Sequence, residues 1–156
     1  MIPSVDERLA SIVRSLSEVI LPHLPPEASL AQDQAHLCIS HLQILRAQID
    51  RVPAFEREEL DDAIAVAREL TNVATGGKAT ALAVTTIVGA IAAADGSDVR
   101  GQRKILLEAV ETLVKSVWTD GTAEGMAALT RVILQHEATR SLKDRQWFAP
   151  FGFDRQ

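Results

Sequence analysis

Gly76-Gly77-Lys78 is the first group of residues in this 156-residue chain whose types and spacing could do chemistry, because a glycine-rich loop followed by lysine can hold phosphate. A phosphate loop has the form G-x-x-x-x-G-K-[ST], but Asn72 replaces its first glycine and Ala79 replaces its hydroxyl residue. We therefore interpret one of the two glycines as a helix C-cap in the left-handed conformation. The alternative left open is an anion held by the first amides of the following helix, beside the lysine.

Asp95-Gly96-Ser97-Asp98 has the composition of the start of a calcium-binding loop. Such a loop continues with acids or amides at alternate positions and ends with glutamate at its twelfth residue, where this chain has Leu106. We interpret the segment as a turn in which Asp98 or Ser97 caps the next helix.

The four histidines and the single cysteine are the remaining candidates for metal binding or catalysis. His36, Cys38 and His41 lie on one predicted helix, where the two histidines point about 140° apart and cannot converge on one ion. Cys38 is interpreted as a small core residue, and each histidine as satisfied or half-exposed. One cysteine allows no internal disulfide and no four-cysteine zinc site. We predict no catalytic residue, no metal ligand and no cofactor.

The C-terminal segment, residues 141–156, holds most of the aromatic side chains of the chain and is the candidate interaction region. Its four aromatic residues are Trp147, Phe148, Phe151 and Phe153. Pro150 and Gly152 predict an extended or turned form here. Aromatic side chains are favoured interface anchors, so the segment is predicted to dock either on residues 1–140 or on a partner subunit. Docking on its own chain is favoured, because an exposed tail of this kind would promote aggregation.

Charge and hydropathy exclude two classes of partner. The formal net charge is −5 and the basic residues are scattered, which argues against nucleic-acid binding. The longest uncharged stretch, residues 79–94, is shorter than the roughly 20 residues that a membrane-spanning helix needs. The polar N-terminus predicts no signal peptide, and a reducing cytoplasm is the expected compartment.

The elements that must position these residues are all predicted to be helices, because apolar residues recur at spacings of three and four. Ser4 is expected to cap the first helix and Pro53 to lie in the first turn of the third. The predicted helices have apolar rows at Val5–Val19, Ala31–Ile49, Leu60–Ala74, Ala79–Ala94, Ile105–Trp118 and Met126–His136. The last helix is expected to fray near Arg140. We predict an all-α, single-domain bundle of about six helices over residues 1–140.

The fourth predicted helix, Ala79–Ala94, is alanine-rich and has small or apolar residues on every face. Such a pattern is typical of a helix that is buried all round, so we expect it at the centre of the bundle. Gly89 lowers helix stability by about 1 kcal/mol relative to alanine, and we expect its benefit to be close approach by a neighbouring helix.

The N-terminal third carries a family resemblance. Residues 9–22, with Pro25-Pro26-Glu27-Ala28 and His41-Leu42, resemble a small family of bacterial helical proteins with no assigned activity. The resemblance implies an accessory role beside phosphotransferase-like and acyl-CoA-metabolism proteins, one of which would be the protein partner. It implies no active-site residues.

Three functional hypotheses follow. The first is a non-enzymatic interaction or accessory protein that forms a homo-oligomer. The alternative is a small apolar-ligand protein that holds an acyl or aromatic group in a cavity between helices. The third is an enzyme that uses a histidine with an acid from Glu56–Asp62, ranked last because spacing reveals no nucleophile–base pair.

Overall fold

The computed structural model describes residues 2–149, which contain six α-helices and no strand. The predicted fold class, an all-α bundle of about six helices, is confirmed. The helices are α1 Val5–Arg14, α2 Ser29–Gln48, α3 Val52–Val73, α4 Lys78–Ala92, α5 Val99–Asp120 and α6 Ala123–Phe148. A π-helical segment, Ser15–Ile20, and a 3-10 turn, Leu21–His23, follow α1. Backbone contacts divide the chain into two compact units between Val52 and Pro53.

The N-terminal unit is a pair of helices, α1 and α2, that pack against each other. Ser4 caps α1 as predicted, in a reciprocal capping box with Glu7. Arg46 on α2 donates two hydrogen bonds to Asp6 on α1, at 2.8 and 3.1 Å. These hydrogen bonds, and the positive charge of Arg46, hold the pKa of Asp6 below its ordinary value. The ion pair therefore joins the start of α1 to the end of α2.

Few apolar side chains of the N-terminal unit are buried. Ala35 and Ile39 on α2 are its buried hydrophobic residues, and α1 has none. Cys38 is exposed, so its prediction as a core residue is wrong. The neighbouring Ile39 is buried instead, one turn after Ala35, which belongs to the predicted row and is also buried.

The C-terminal unit has a contiguous core built from α3, α4, α5 and α6. The predicted apolar rows of α3, α5 and α6 supply most of its buried side chains: Leu60, Ala67, Leu70, Leu106, Ala109, Leu113, Val117 and Leu129. Pro53 lies in the first turn of α3, as predicted. Two predicted members of the α5 row, Ile105 and Trp118, are exposed.

The prediction that α4 is buried on every side is wrong. One side of the helix is buried through Thr80, Ala83 and Ile87, and α4 packs mainly against α5. Leu82 and Val88 on other faces are exposed. After Lys78 the helix has no charged residue, and the hydroxyls of Thr85 and Thr86 bond to carbonyls of their own helix, so the sequence marks no face as the outer one.

Helix α6 continues without a break from Ala123 to Phe148, so the predicted fraying near Arg140 is wrong. Trp147 and Phe148 lie in its last turn, and the predicted extended form is wrong for these two residues. The proline at position 150 disfavours helix only from the residue before it onward, which leaves both aromatic residues free to be helical. Phe151 and Phe153 lie outside the described residues. None of the helices in residues 2–149 is both long and apolar enough to cross a bilayer.

Candidate functional site

The glycine pair at positions 76 and 77 marks a close approach of two connections, the α3–α4 loop and the α5–α6 turn. Gly76 forms an isolated antiparallel bridge with Gly121. Gly77 N donates to the Asp120 carbonyl, and Thr122 N donates to the Thr75 carbonyl, each at 2.9 Å. A β-carbon built on Gly76 would lie 2.8 Å from the Gly121 α-carbon, closer than real β-carbons come. Glycine is therefore needed at position 76 so that the two backbones can meet.

The predicted left-handed C-cap at this glycine pair is wrong. Gly77 has φ −82° and is the N-cap of α4, while Gly96 is the one described glycine with positive φ. A sequence pattern shows that a glycine is present but does not separate its two uses, conformational freedom and close approach.

Asp120 occupies the position at which an anion would bind to the start of α4. Its carboxylate accepts hydrogen bonds from Ala79 N at 2.7 Å, from Thr80 N at 3.1 Å and from Thr80 Oγ1 at 2.6 Å. The hydrogen bond from the Thr80 side chain, helped by the backbone amides, lowers the pKa of Asp120. The amides that the anion-binding alternative requires are thus engaged by the protein's own carboxylate, and Lys78 beside them is exposed.

The Asp95–Asp98 segment is also structural. Asp98 accepts a hydrogen bond from Gly101 N at 3.0 Å and caps α5, as predicted. Asp95 accepts from Ser97 N at 2.9 Å and from Gln102 Nε2 at 2.6 Å. Hydrogen bonds from Ser97, through its side chain and its backbone, and from Gln102 lower the pKa of Asp95 to about 2. The Asp95 carboxylate therefore accepts hydrogen bonds from within the segment and from the start of α5, in line with the interpretation of this segment as a turn.

The histidine–cysteine group on α2 is dispersed. His36, Cys38 and His41 are all exposed. Across residues 2–149, no group of three or more histidine, cysteine, aspartate or glutamate side chains is arranged to hold a metal ion. His23 Nδ1 lies 2.6 Å from the Val19 carbonyl oxygen, a local contact at the end of the π-helical segment.

A cleft of about 180 Å³ lies between α3, α5 and α6 in the C-terminal unit. We refer to its apolar lining residues as the floor and to its polar and charged lining residues as the rim. The apolar lining is Ala63, Val66, Leu107, Val110 and Ile133, and the polar lining is Glu59, Asp62, Arg103, His136, Glu137, Thr139 and Arg140. The three helices bring these residues together from distant parts of the sequence, and no short motif contains them.

Part of the rim is a network of ion pairs around Glu59, whose side chain is only 9% exposed. Arg103 Nη2 lies 2.5 Å from Glu59 Oε2, and Lys143 Nζ lies 3.7 Å from Glu59 Oε1. Lys143 also donates a 2.7 Å hydrogen bond to Asp62. Burial by itself would lower the pKa of Lys143, but the hydrogen bond to Asp62 and the nearby carboxylates together raise it. The network therefore holds α3 to both α5 and α6.

His136 is the one histidine that the structure places in a cleft with carboxylates. Its Nε2 lies 3.1 Å from Glu69 Oε2, and Glu59 and Asp62 line the same cleft. The third hypothesis named acids 56–62, so it identified two lining carboxylates and missed the direct partner, Glu69. Residues 69 and 136 are 67 positions apart, and no local signal in the sequence could pair them.

Two of the four aromatic candidates, Trp147 and Phe148, lie in the last turn of α6, and the other two lie outside the described residues. The Trp147 ring stacks on Phe55 of α3 with centroids 4.2 Å apart, and Lys143 Nζ lies 5.4 Å from the centre of the Phe55 ring. Phe148 is 43% exposed. Whether the segment as a whole docks on its own chain or on a partner subunit stays a prediction, since half of its aromatic residues fall outside residues 2–149.

Comparison with known proteins adds no functional assignment: no family model, no curated protein and no solved structure matches this chain.

Proposed function

We propose that this protein is a non-enzymatic accessory protein that works by associating with other chains, and that it forms a homo-oligomer through the outer face of α2. Leu30 and Leu37 carry the proposal, since they lie one heptad apart with 73% and 49% of their side chains exposed. At 100° per residue, both point about 140–160° away from Ala35. Helix α2 therefore has apolar rows on two opposite sides.

The buried side of α2, formed by Ala35 and Ile39, is already covered, so Leu30 and Leu37 need a different neighbour. Heptad spacing is the pattern by which one helix packs along another. In the described part of the N-terminal unit, only two hydrophobic side chains are buried. A unit of about 50 residues commonly obtains the missing core by oligomerising.

A second copy is the occupant that fits this surface best. The rest of the N-terminal unit also exposes Val5, Ile12, Val19, Ile20 and Leu45, so much of its apolar surface is uncovered. A standard interface buries ~800 Å² per partner, so the row Leu30 and Leu37 would be the centre of a contact that also includes its neighbours on the outer face of α2. Asp6 and Arg46 of the N-terminal unit pair with each other within one copy. Neither of these two charges is therefore left unpaired to oppose the packing of identical surfaces.

The resemblance of residues 9–22 to a bacterial helical family supports the accessory role in a cytoplasmic setting. An acyl-CoA-metabolism or phosphotransferase-like protein is the partner class that the resemblance implies for the assembled copies. The aromatic residues Trp147, Phe148, Phe151 and Phe153 are the second surface proposed for such a partner.

The test is the mass of the purified protein in solution, by light scattering coupled to gel filtration and by native mass spectrometry. We expect a species of at least twice the 16.9 kDa chain mass. Leu37→Glu should reduce it to the single-chain mass, because a charge in an apolar contact is costly. The matched control is Leu134→Glu on α6, where the leucine is 66% exposed but lies outside the proposed surface, so the mass should be unchanged.

Two results would contradict the proposal. One is a wild-type protein that stays a single chain at every concentration up to about 100 μM, well above the dissociation constants of specific oligomers. The other is an oligomer that survives Leu37→Glu and also Leu30→Glu. In that second case a different surface holds the copies together.

A further inference from the structure

We propose that the cleft between α3, α5 and α6 binds a small amphipathic carboxylate, either an aryl carboxylate with one ring or a straight-chain acid of about six carbons. The apolar part would lie on the floor of the cleft, and the carboxylate would meet Arg140 and Arg103 at the rim. This binding activity is separate from the association proposed for α2.

The size of the ligand follows from the volume of the cleft. Drug-sized ligands occupy roughly 300–1,000 Å³, more than the 180 Å³ found here. An apolar cavity of ~150 Å³ is known to accept one benzene ring, and the cleft, at 180 Å³, is slightly larger than that cavity. One ring or a short chain therefore fills the space.

The floor provides the apolar contact. Val66, Val110 and Ile133 are partly buried side chains packed at the edge of the hydrophobic core. Leu107 is 44% exposed at the cleft although it lies on α5, between core residues. A ligand ring or chain laid across these side chains would remove them from water, which favours binding.

The sign of the head group follows from which charged groups are already engaged. Glu59 is held by Arg103 and Lys143, and Asp62 is held by Lys143. A cationic ligand would have to displace Lys143 from this network. Glu59 and Asp62 are therefore poor partners for a new cation, and the third lining carboxylate, Glu137, is 59% exposed and lies beside Arg140.

The guanidinium groups, by contrast, keep unused donors. Arginine has five N–H donors. Arg140 uses one of them in a 3.5 Å hydrogen bond to Glu137 on its own helix, and its other ionic contact, to Asp144, is 3.9 Å long. Arg103 uses only its Nη2 group, on Glu59. Arg103 and Arg140, two lining cations with spare donors beside an apolar floor, form a receptor for a carboxylate.

The experiment is an NMR titration of the full chain, labelled with ¹⁵N, with sodium hexanoate and sodium benzoate. We expect amide shifts that saturate and that cluster on the cleft-facing residues of α3, α5 and α6, with a Kd on the order of 1 mM for ligands of this size. The neutral 1-hexanol should bind more weakly at the same place, and hexylamine should not bind there.

Arg140→Gln separates the head-group contact from the apolar contact. It should weaken hexanoate binding about fivefold, which is the strength of a partly exposed charge pair, and leave 1-hexanol binding unchanged. The matched control is Arg131→Gln, an exposed arginine on the same helix that does not line the cleft. Val66→Phe fills the floor and should abolish binding of both ligands, provided that its amide spectrum remains dispersed.

Three outcomes would overturn the proposal: scattered, non-saturating shifts with hexanoate and benzoate; hexylamine binding more tightly than hexanoate; or equal effects of Arg140→Gln and Arg131→Gln. If Val66→Phe unfolds the chain, Leu107→Asp at the exposed edge of the floor provides the second test. Hexanoate binding that survives Leu107→Asp would also overturn the proposal. Because none of these measurements depends on the oligomeric state, they are independent of the test of self-association.

Discussion

The two compact units of this chain have similar apolar periodicity but very different burial. In the C-terminal unit, eleven buried residues from four helices form one hydrophobic cluster. In the N-terminal unit, Ala35 and Ile39 are the buried hydrophobic residues, and the row Val5, Ile12 and Val19, which runs along α1 and the π-helical segment after it, is exposed. The same three-and-four spacing therefore accompanies a closed core in one unit and an open surface in the other.

The difference teaches that periodicity predicts which face of a helix is apolar, whereas the number of neighbouring helices decides whether that face is covered. Four helices can enclose side chains such as Leu70 and Leu113, both fully buried. Two helices share a single contact, and each keeps a broad face toward water. An apolar row left on that face is where association can add stability.

The largest expected effect comes from truncating the closed core. Leu70→Ala should lower the free energy of unfolding by about 2–5 kcal/mol, since it removes a fully buried side chain and leaves a cavity. Ile12→Ala on α1, whose side chain is 48% exposed, should cost less than about 1 kcal/mol. Urea unfolding followed by circular dichroism measures both. If both substitutions lowered the free energy of unfolding equally, Ile12 would have to be buried in solution, and the two units would not differ in burial.

The next largest effect is expected at Gly125, in the first turn of α6, where the backbone of Thr75 from the α3–α4 loop comes close. A β-carbon on Gly125 would lie 2.8 Å from the Thr75 carbonyl oxygen and 3.0 Å from its backbone nitrogen. Gly125→Ala should therefore cost about 1–3 kcal/mol, because backbone cannot give way as a flexible side chain can. Thermal unfolding against wild type measures the loss. A neutral Gly125→Ala would mean that the loop carrying Thr75 moves aside easily.

A smaller and pH-dependent effect is expected at Asp120, which caps α4 from the end of α5. Asp120→Asn should lower the melting temperature by several degrees at pH 7, because the carboxylate that accepts three hydrogen bonds is lost. The folded pKa of Asp120 lies below the ordinary value of an aspartate, chiefly because the Thr80 side chain donates to the carboxylate. Its stabilisation is thus present above about pH 4 and disappears as the pH falls through the folded pKa.

The measurement for this prediction is a series of melting curves between pH 7 and pH 2. The difference between wild type and Asp120→Asn should shrink at the acid end. Asp61→Asn, at an exposed position on α3, is the matched control and should show no comparable difference. A difference in melting temperature that stays constant down to pH 2 would mean that the ionised carboxylate of Asp120 is not what stabilises the start of α4.

Local rules explain how much of this structure the sequence could predict. The caps at Ser4 and Asp98 and the buried row of α3 follow from hydrogen-bond chemistry and helical spacing, and all were predicted. The pairing of Glu69 with His136, and the capping of α4 by Asp120, depend on which helices become neighbours. The paired residues are 40 or more positions apart in the sequence, and no local pattern shows which distant helices pack together.

The cleft illustrates the same limit. Its acids at 59 and 62 lie within the charge cluster that the sequence singled out, but its apolar floor combines α3, α5 and α6. In α4 and at the end of α6, the sequence rules failed for other reasons. After Lys78, α4 has no charged residue to mark an outer face, and Pro150 acts on the helix only close to its own position.

The smallest expected effect concerns Gly89, and it has the opposite sign from what the sequence pattern predicted. Apart from its chain neighbours and the backbone of its own helix, no described atom lies within 4 Å of a β-carbon built there, so the expected contact with a neighbouring helix is absent from the described residues. Gly89→Ala should therefore raise the free energy of unfolding by about 0.5–1 kcal/mol, since alanine has less backbone freedom to lose in a helix. Urea unfolding at two protein concentrations measures the gain. A destabilised Gly89→Ala whose loss grows with protein concentration would show that another helix packs on the outer face of α4, and the open surface of this molecule would then extend beyond its N-terminal unit.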